Sequence, residues 1–330
     1  MTNGASRHVP QHPHWDEDLP GRNAPAHRLP KMVNGDLNTL NDVYMEVSRA
    51  STLMRGVGIL FGTAGGFGFI LILGFLAYML FPIEEGSALL VLIWLGMLFF
   101  GISATYLMLK TDIAIPRDRP VRFNRCRRKV FVYEHAYGMN PFVDWPVAAK
   151  IFDWETLSAE IHRQAGFSGK TYVQRFSLWI VSCEPGTNEV VDRFELKGNS
   201  PTTEELHDAW AYCRQYMEHG SAELPVYPLR RQGISFRRSF FEYLRFLDPT
   251  DEGREVRKRM TVGDWAFNVP FVALTFWILI PTGVGHYIAM RLAPDAKWPP
   301  EIDAESRSSQ YDPGKSMNRS AEISRSPGSA

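Results

Sequence analysis

Cysteine is scarce in this chain. Cys126, Cys183 and Cys213 are the only three in 330 residues, and their wide spacing fits neither a metal-ligand pattern nor a disulfide framework. They read as ordinary thiols kept reduced on the cytoplasmic side of a membrane. An excess of charge is also lacking: 36 Lys and Arg balance 36 Asp and Glu, so no overall field draws the chain to nucleic acid. Signatures of catalysis are missing, with no Gly-rich phosphate loop, no H-E-x-x-H and no nucleophile elbow. Glu134-His135 and Glu160-Ile161-His162 set carboxylates near imidazoles, but in or beside apparent strands with no pocket implied. Acid–base work needs such pairs in a pocket, so they read as solvated strand ends. The expectation is a protein that binds rather than catalyses, with no cofactor and no metal. A basic start followed by an early apolar segment is absent too, and no cleavable export signal is expected.

Charge is missing most tellingly from residues 56–83 and 86–109, which are separated only by Glu84-Glu85. About 20 apolar residues in a helix span a hydrocarbon core of roughly 30 Å, so each run is long enough to cross a bilayer. Residues 51–110 therefore read as a transmembrane helical hairpin, with the lipid bilayer as its first partner. Arg49 and Arg55 precede it, and Arg117, Arg119, Arg122, Arg125, Arg127, Arg128 and Lys129 follow Lys110 at its end. Basic flanks stay inside, which puts the N-terminus and the central domain in the cytoplasm and Glu84-Glu85 outside. The cluster Arg125, Arg127, Arg128 and Lys129 is read as a topology determinant at the membrane surface. Gly58, Gly62 and Gly66 share one helix face and form a groove for close backbone approach. Its occupant is either the second helix of the same hairpin, or a partner protein or second copy giving a homo-oligomer.

The remaining chain divides around that hairpin. Residues 1–50 are a polar N-terminal tail, Pro-rich and disordered over about the first forty, with a juxtamembrane helix over residues 36–50 carrying Leu40, Val43, Tyr44 and Val47 on one face. The tail holds His8, His12, His14 and His27 near Asp16, Glu17 and Asp18, types that bind divalent metals. Pro10, Pro13 and Pro20 prevent a helix from fixing their spacing, so the cluster reads as solvated tail. Residues 111–222 form an α+β domain of antiparallel strands followed by a C-terminal helix. Strands are expected at 121–123, 130–133, 149–154, 158–164, 172–183 and 190–196, the last two joined by Glu184-Pro185-Gly186-Thr187-Asn188. A helix follows from about residue 204 to Gly220, with Leu206, Trp210 and Met217 packing with Phe194 as the domain core. This is the order of a pleckstrin-homology-like fold, by analogy of order alone.

Residues 223–264 form a basic connector. Over residues 234–247 it reads as an amphipathic helix with Arg237 and Arg238 at the membrane surface and Phe236, Phe240 and Tyr243 as anchors, or else with its aromatic face on the domain. Residues 265–291 are expected as a third transmembrane segment, leaving the tail 292–330 outside and disordered; the alternative is a re-entrant or surface-lying segment.

The runs Asp118-Arg119-Pro120-Val121-Arg122-Phe123-Asn124-Arg125 and Lys129-Val130-Phe131-Val132-Tyr133 resemble an uncharacterised group of proteobacterial inner-membrane proteins. So do Phe152-Asp153-Trp154, Val191-Asp192-Arg193-Phe194 and the helix from Trp210 to Glu218. The resemblance covers about residues 50–260. Members of that group are often encoded beside type VI secretion spike proteins and their toxic effectors. The resemblance implies an accessory or immunity role, with a secreted effector or a secretion component as partner, and carries over no catalytic residue. The other expectation is a membrane-tethered adaptor or sensor that binds a cytoplasmic protein or lipid headgroup through residues 111–222.

Overall fold

The computed structural model describes residues 5–25, 28–80, 87–136, 138–140, 142–167, 172–231 and 233–309. Glu84-Glu85, His27 and most of the expected disordered tail, 310–330, lie outside the described residues. Nine strands occur among the described residues: β1 (Trp15–Asp18), β2 (Leu37–Leu40), β3 (Tyr44–Val47), β4 (Val121–Asn124), β5 (Lys129–His135), β6 (Val147–Asp153), β7 (Leu157–Phe167), β8 (Tyr172–Cys183) and β9 (Val190–Ser200). They form two antiparallel sheets, in the orders β2-β3-β4-β5-β6 and β1-β7-β8-β9. Neighbours in sequence are neighbours in each sheet, β1 excepted, through short connections everywhere but between β3 and β4. The β4–β5 turn is local chemistry: Asn124 Oδ1 accepts the Arg127 N–H at 2.8 Å and Arg128 takes φ 54°.

The helices are α1 (Val57–Leu80), α2 (Ser87–Ile113), α3 (Glu204–His219), α4 (Phe236–Phe240), α5 (Asp251–Arg259), α6 (Val262–Leu292) and α7 (Pro300–Arg307). Helix α3 closes the two sheets. Leu206, Trp210 and Met217 are buried in one cluster with Phe123, Val132, Ile161, Ile180 and Phe194, so both sheets and the helix share a single core. Gly220, at φ 90°, ends α3 with its N–H on the Tyr216 carbonyl. Helices α1, α2 and α6 are long and apolar enough to cross a membrane. Their outward residues, among them Phe67, Leu71, Phe75, Phe100, Leu274 and Trp277, are exposed, which suits lipid as their surroundings.

Several expectations need correction. The N-terminal tail is built into the β domain: β1 pairs with β7, and Leu19 and Leu37 are fully buried. Such short strands each add one or two anchors to a core made elsewhere, so their hydrophobic density is low. The expected helix over residues 36–50 is instead the β2–β3 hairpin. Asn41 Oδ1 accepts the Val43 and Tyr44 N–H groups at 2.9 Å and forms the turn, while Met45 and Val47 alternate inward. The single connector helix over residues 234–247 is replaced by α4 and a 3-10 turn at Arg245–Leu247, with α5 following in the rest of the connector. The C-terminal tail also packs. Arg117 N–H bonds the Pro294 carbonyl at 2.9 Å, Trp298 stands edge-on to Tyr133, and α7 lies on the five-stranded sheet through Arg122–Asp303 (2.9 Å) and Arg127–Glu305 (2.8 Å).

The hairpin α1–α2 is inserted between paired strands. Val47 at the end of β3 faces Val121 at the start of β4, so the polypeptide leaves the sheet, makes the hairpin and returns to the same rung. Both open ends of the hairpin therefore stand on the side where the sheets lie.

Candidate functional site

Two polar constellations organise the molecule, one at the junction between hairpin and sheets and one behind the four-stranded sheet.

At the junction, Arg49 and Arg55 are buried on the approach to α1. Arg49 reaches both sheets: Nη2 donates to the Tyr133 carbonyl at 2.6 Å, and Nη1 to Glu134 at 2.8 Å and the Glu195 carbonyl at 3.1 Å. Arg55 gathers the chain leaving α2, donating to the carbonyls of Asp112 (2.7 Å), Ile115 (2.9 Å) and Pro116. Asp112 answers from α2, its Oδ2 accepting the N–H of Gly56 at 3.0 Å and of Ile59 at 2.8 Å. Those are free donors at the first turn of α1, which has no preceding carbonyls to use. The planar guanidinium suits this role, since its five donors can satisfy several carbonyls at once.

The same point receives α6. Gly56 lies at φ 86°, and a Cβ there would overlap the His286 backbone. A Cβ on Gly285 would stand 2.7 Å from the Gly56 carbonyl oxygen. Tyr243 completes the crossing, its hydroxyl donating to the Arg55 carbonyl at 2.6 Å. The α6 residues that meet Gly56, namely Thr282, Gly285 and His286, lie in the last third of that helix.

The second constellation is a histidine–carboxylate cluster. Side chains alternate across a strand, so Ala159 and Ile161 of β7 enter the core while Glu160 and His162 point to the opposite face. That face is covered by residues 6–18, and Glu160 (0% exposed), His162 (2%) and His8 (1%) are all buried. Glu160 Oε1 accepts from His162 Nε2 at 2.6 Å and Arg193 Nε at 3.0 Å, and Oε2 lies 3.3 Å from His8 Nδ1. His8 Nδ1 is also 3.4 Å from Asp18 Oδ1. Asp18 is held in turn by Trp15 Nε1 at 2.8 Å, the Ser6 hydroxyl at 3.1 Å and the Arg7 N–H at 2.8 Å. His12 stacks on His162 with ring centroids 4.0 Å apart. Burial raises the Glu160 carboxyl, but hydrogen bonds from His162 and His8, with the Arg193 charge, outweigh it and hold it well below the usual carboxylate range.

The residues singled out from sequence are distributed as follows. Gly58, Gly62 and Gly66 face α2: a Cβ on Gly66 would stand 2.9 Å from Thr105 Oγ1, and one on Gly58 would overlap the Met108 carbonyl. Arg127 and Arg128 are engaged in ion pairs within the fold. They lie at the end of β4 remote from the hairpin, Arg127 on Glu305 and Arg128 on Glu155 (2.6 Å) and Glu218 (3.1 Å). Arg125 lies against Gly220 in the same region, and Lys129 opens β5. Their carboxylate partners come from distant segments, which no local charge count reveals. Arg237 is exposed, 3.9 Å from Asp248, and Arg238 is half-buried. His135 and His162, expected in solvent, are buried, and burial pushes the His135 imidazole pKa down. Sequence reading missed Arg49, Arg55 and Asp112 as a unit, although each stood at a run boundary where a charge is costly unless paired.

No curated protein and no solved structure matches the chain. The model of a family of unknown function, DUF6708, matches residues 72–310. The match runs from within α1 to just beyond α7, taking in most of the hairpin, most of both sheets and α6, and the chain belongs to that family.

Proposed function

We propose that this is a bacterial inner-membrane protein that holds a cytoplasmic binding domain in a fixed orientation at the bilayer. The observation that carries this reading is the junction. Arg49 ties the start of the hairpin to β5 and β9, while Arg55 and Asp112 tie its two ends together. A flexible tether would need none of these bonds. Tethering raises the effective concentration of a domain near a membrane-bound partner, and rigid tethering also limits which face it can offer.

The role that fits best is accessory or immunity function linked to type VI secretion, supported by the resemblance to proteins encoded beside spike and effector genes. Protection would come from occluding a toxic effector or its membrane target. Two successive antiparallel meanders closed by α3 follow the order of a pleckstrin-homology-like fold, which favours an adaptor that binds a cytoplasmic protein or lipid headgroup as the second reading. Co-expression with the effector encoded beside it separates them. The full chain should protect the cell, and a form in which residues 51–109 are replaced by a short turn, permitted by the Val47–Val121 pairing, should protect poorly while still folding. Full protection by the hairpin-free form would refute the need for the membrane; no protection by the full chain would leave the adaptor.

A further inference from the structure

Three ligand-type atoms from three separate segments converge in the buried cluster. His8 Nδ1, Asp18 Oδ1 and Glu160 Oε2 all lie within 4.8 Å of one another, and the two edges at His8 measure 3.4 and 3.3 Å. In a tetrahedral zinc site with bonds of about 2.0–2.1 Å, neighbouring ligand atoms stand about 3.3–3.4 Å apart. Those two edges already have the separation that coordination demands, and the third, from Asp18 to Glu160, lies within 4.8 Å. We propose that His8, Asp18 and Glu160 form a binding site for a divalent transition-metal ion of the Zn²⁺ class, with a water in the fourth position.

The surroundings are those of a prepared site. Ligating carboxylates are normally oriented by further hydrogen bonds. Here the second oxygen of Glu160 is fixed by His162 and Arg193, and that of Asp18 by the Arg7 N–H at 2.8 Å. The donor set, one imidazole and two carboxylates, suits Zn²⁺, Mn²⁺ or Co²⁺ and disfavours Cu⁺, which prefers sulfur. Arg193 and Arg7 add positive charge nearby, Arg193 Nε donating to Glu160 at 3.0 Å and Arg7 Nη2 to the Leu19 carbonyl at 2.6 Å. Without a metal, the His8 imidazole N–H can be shared between the two carboxylates; a metal replaces that proton. Ligands at residues 8, 18 and 160 would cross-link the N-terminal segment, β1 and β7, so the ion acts as a staple on the part of the sheet that carries His12 and His162.

The test uses the full-length chain, free of any histidine tag, in nanodiscs and stripped with a chelator. Zn²⁺ is titrated against a chromophoric competitor, and Co²⁺ is used as a spectroscopic probe. Wild type and His12→Ala should each take up one equivalent at the same affinity, with the ligand-field absorption of tetrahedral Co²⁺. His8→Ala and Asp18→Asn should weaken uptake by more than about tenfold, as losses around metal sites do, and Zn²⁺ should slow tryptic cleavage after Arg22 in wild type and His12→Ala but not in His8→Ala or Asp18→Asn. Asp18→Asn preserves shape and keeps the test open should His8→Ala misfold. The proposal is overturned by substoichiometric uptake in wild type, or by Asp18→Asn binding as wild type does.

Discussion

The two ends of helix α6 should lie on the same side of the membrane, and the contacts made at those ends fix that outcome. Upstream, Tyr243 is bonded to the Arg55 carbonyl at the open end of the hairpin. Downstream, residues 294–307 pack on the sheets through Arg117, Arg122 and Arg127. Only two residues separate Tyr243 from Phe246, whose ring lies 5.9 Å from that of Trp265 near the start of α6. Even fully stretched, this path places Trp265 within about 26 Å of Tyr243, short of the roughly 30 Å core. A complete crossing would also drag Asp251, Glu252, Arg254, Glu255, Arg257 and Lys258 into hydrocarbon. At about 2.5–3.5 kcal/mol each, that penalty exceeds about 15 kcal/mol. The assay is labelling with a membrane-impermeant thiol reagent in spheroplasts, on a background lacking the native cysteines. Cysteines at Glu252 and at Ala304 should stay unlabelled until the membrane is opened, while Gly86→Cys reacts at once. Labelling of Ala304→Cys in intact spheroplasts would refute the reasoning and restore a simple third span.

Two further predictions concern the junction and the core. Asp112→Ala leaves the Gly56 and Ile59 N–H groups without an acceptor in a buried place and should destabilise the protein by about 2–4 kcal/mol; Asp112→Asn keeps an oxygen there and should lose under about 1 kcal/mol, so equal shifts in thermal unfolding in detergent would contradict the capping role. Among the cysteines, Cys126 is exposed, burial pushes the Cys183 thiol up and pushes Cys213 up to about 12. Thiolate is the reactive form, so at neutral pH intact-mass analysis should find one alkylated site in the native protein and three after unfolding; a second native adduct would contradict the packing of α3.

What was legible in the sequence was whatever carried its own local signal. The two charge-free runs, the aromatic and β-branched strands around Glu184-Pro185-Gly186, and the 3.6-residue spacing of Leu206, Trp210 and Met217 each identify an element without help from elsewhere. β8 begins and ends where composition places it, and α3 does so within a residue or two. β1 and β2 had no such signal. They are four-residue strands with few buried side chains, and they exist because β7 and β3 offer unpaired edges. The histidine cluster was half legible. Glu160 and His162 stood out as a pair and His8, His12 and Asp18 as a group, but both were assigned to solvent. The rule that exposes polar residues on one face of a strand fails when another segment covers that face.

The junction shows why the anchor and the sheets are one unit. Strands β3 and β4 are paired rung for rung from Val47–Val121 to Tyr44–Asn124, yet the whole hairpin lies between them in sequence. An antiparallel pair ordinarily closes with a few residues, so here the membrane hairpin takes the place of a turn. Entropy alone would let so large an insertion move freely, since loop closure becomes only slowly costlier with length. Buried guanidinium groups remove that freedom. Arg49 and Arg55 have no water to turn to, and an unpaired charge in such a place costs several kcal/mol. Tilting the sheets against the helices would break the bonds of Arg49 to Glu134 and Glu195, while Arg55 keeps the two ends of the hairpin together through Asp112 and Ile115. The orientation of the sheets relative to the hairpin is therefore held by the same bonds that make the buried Arg49 charge tolerable.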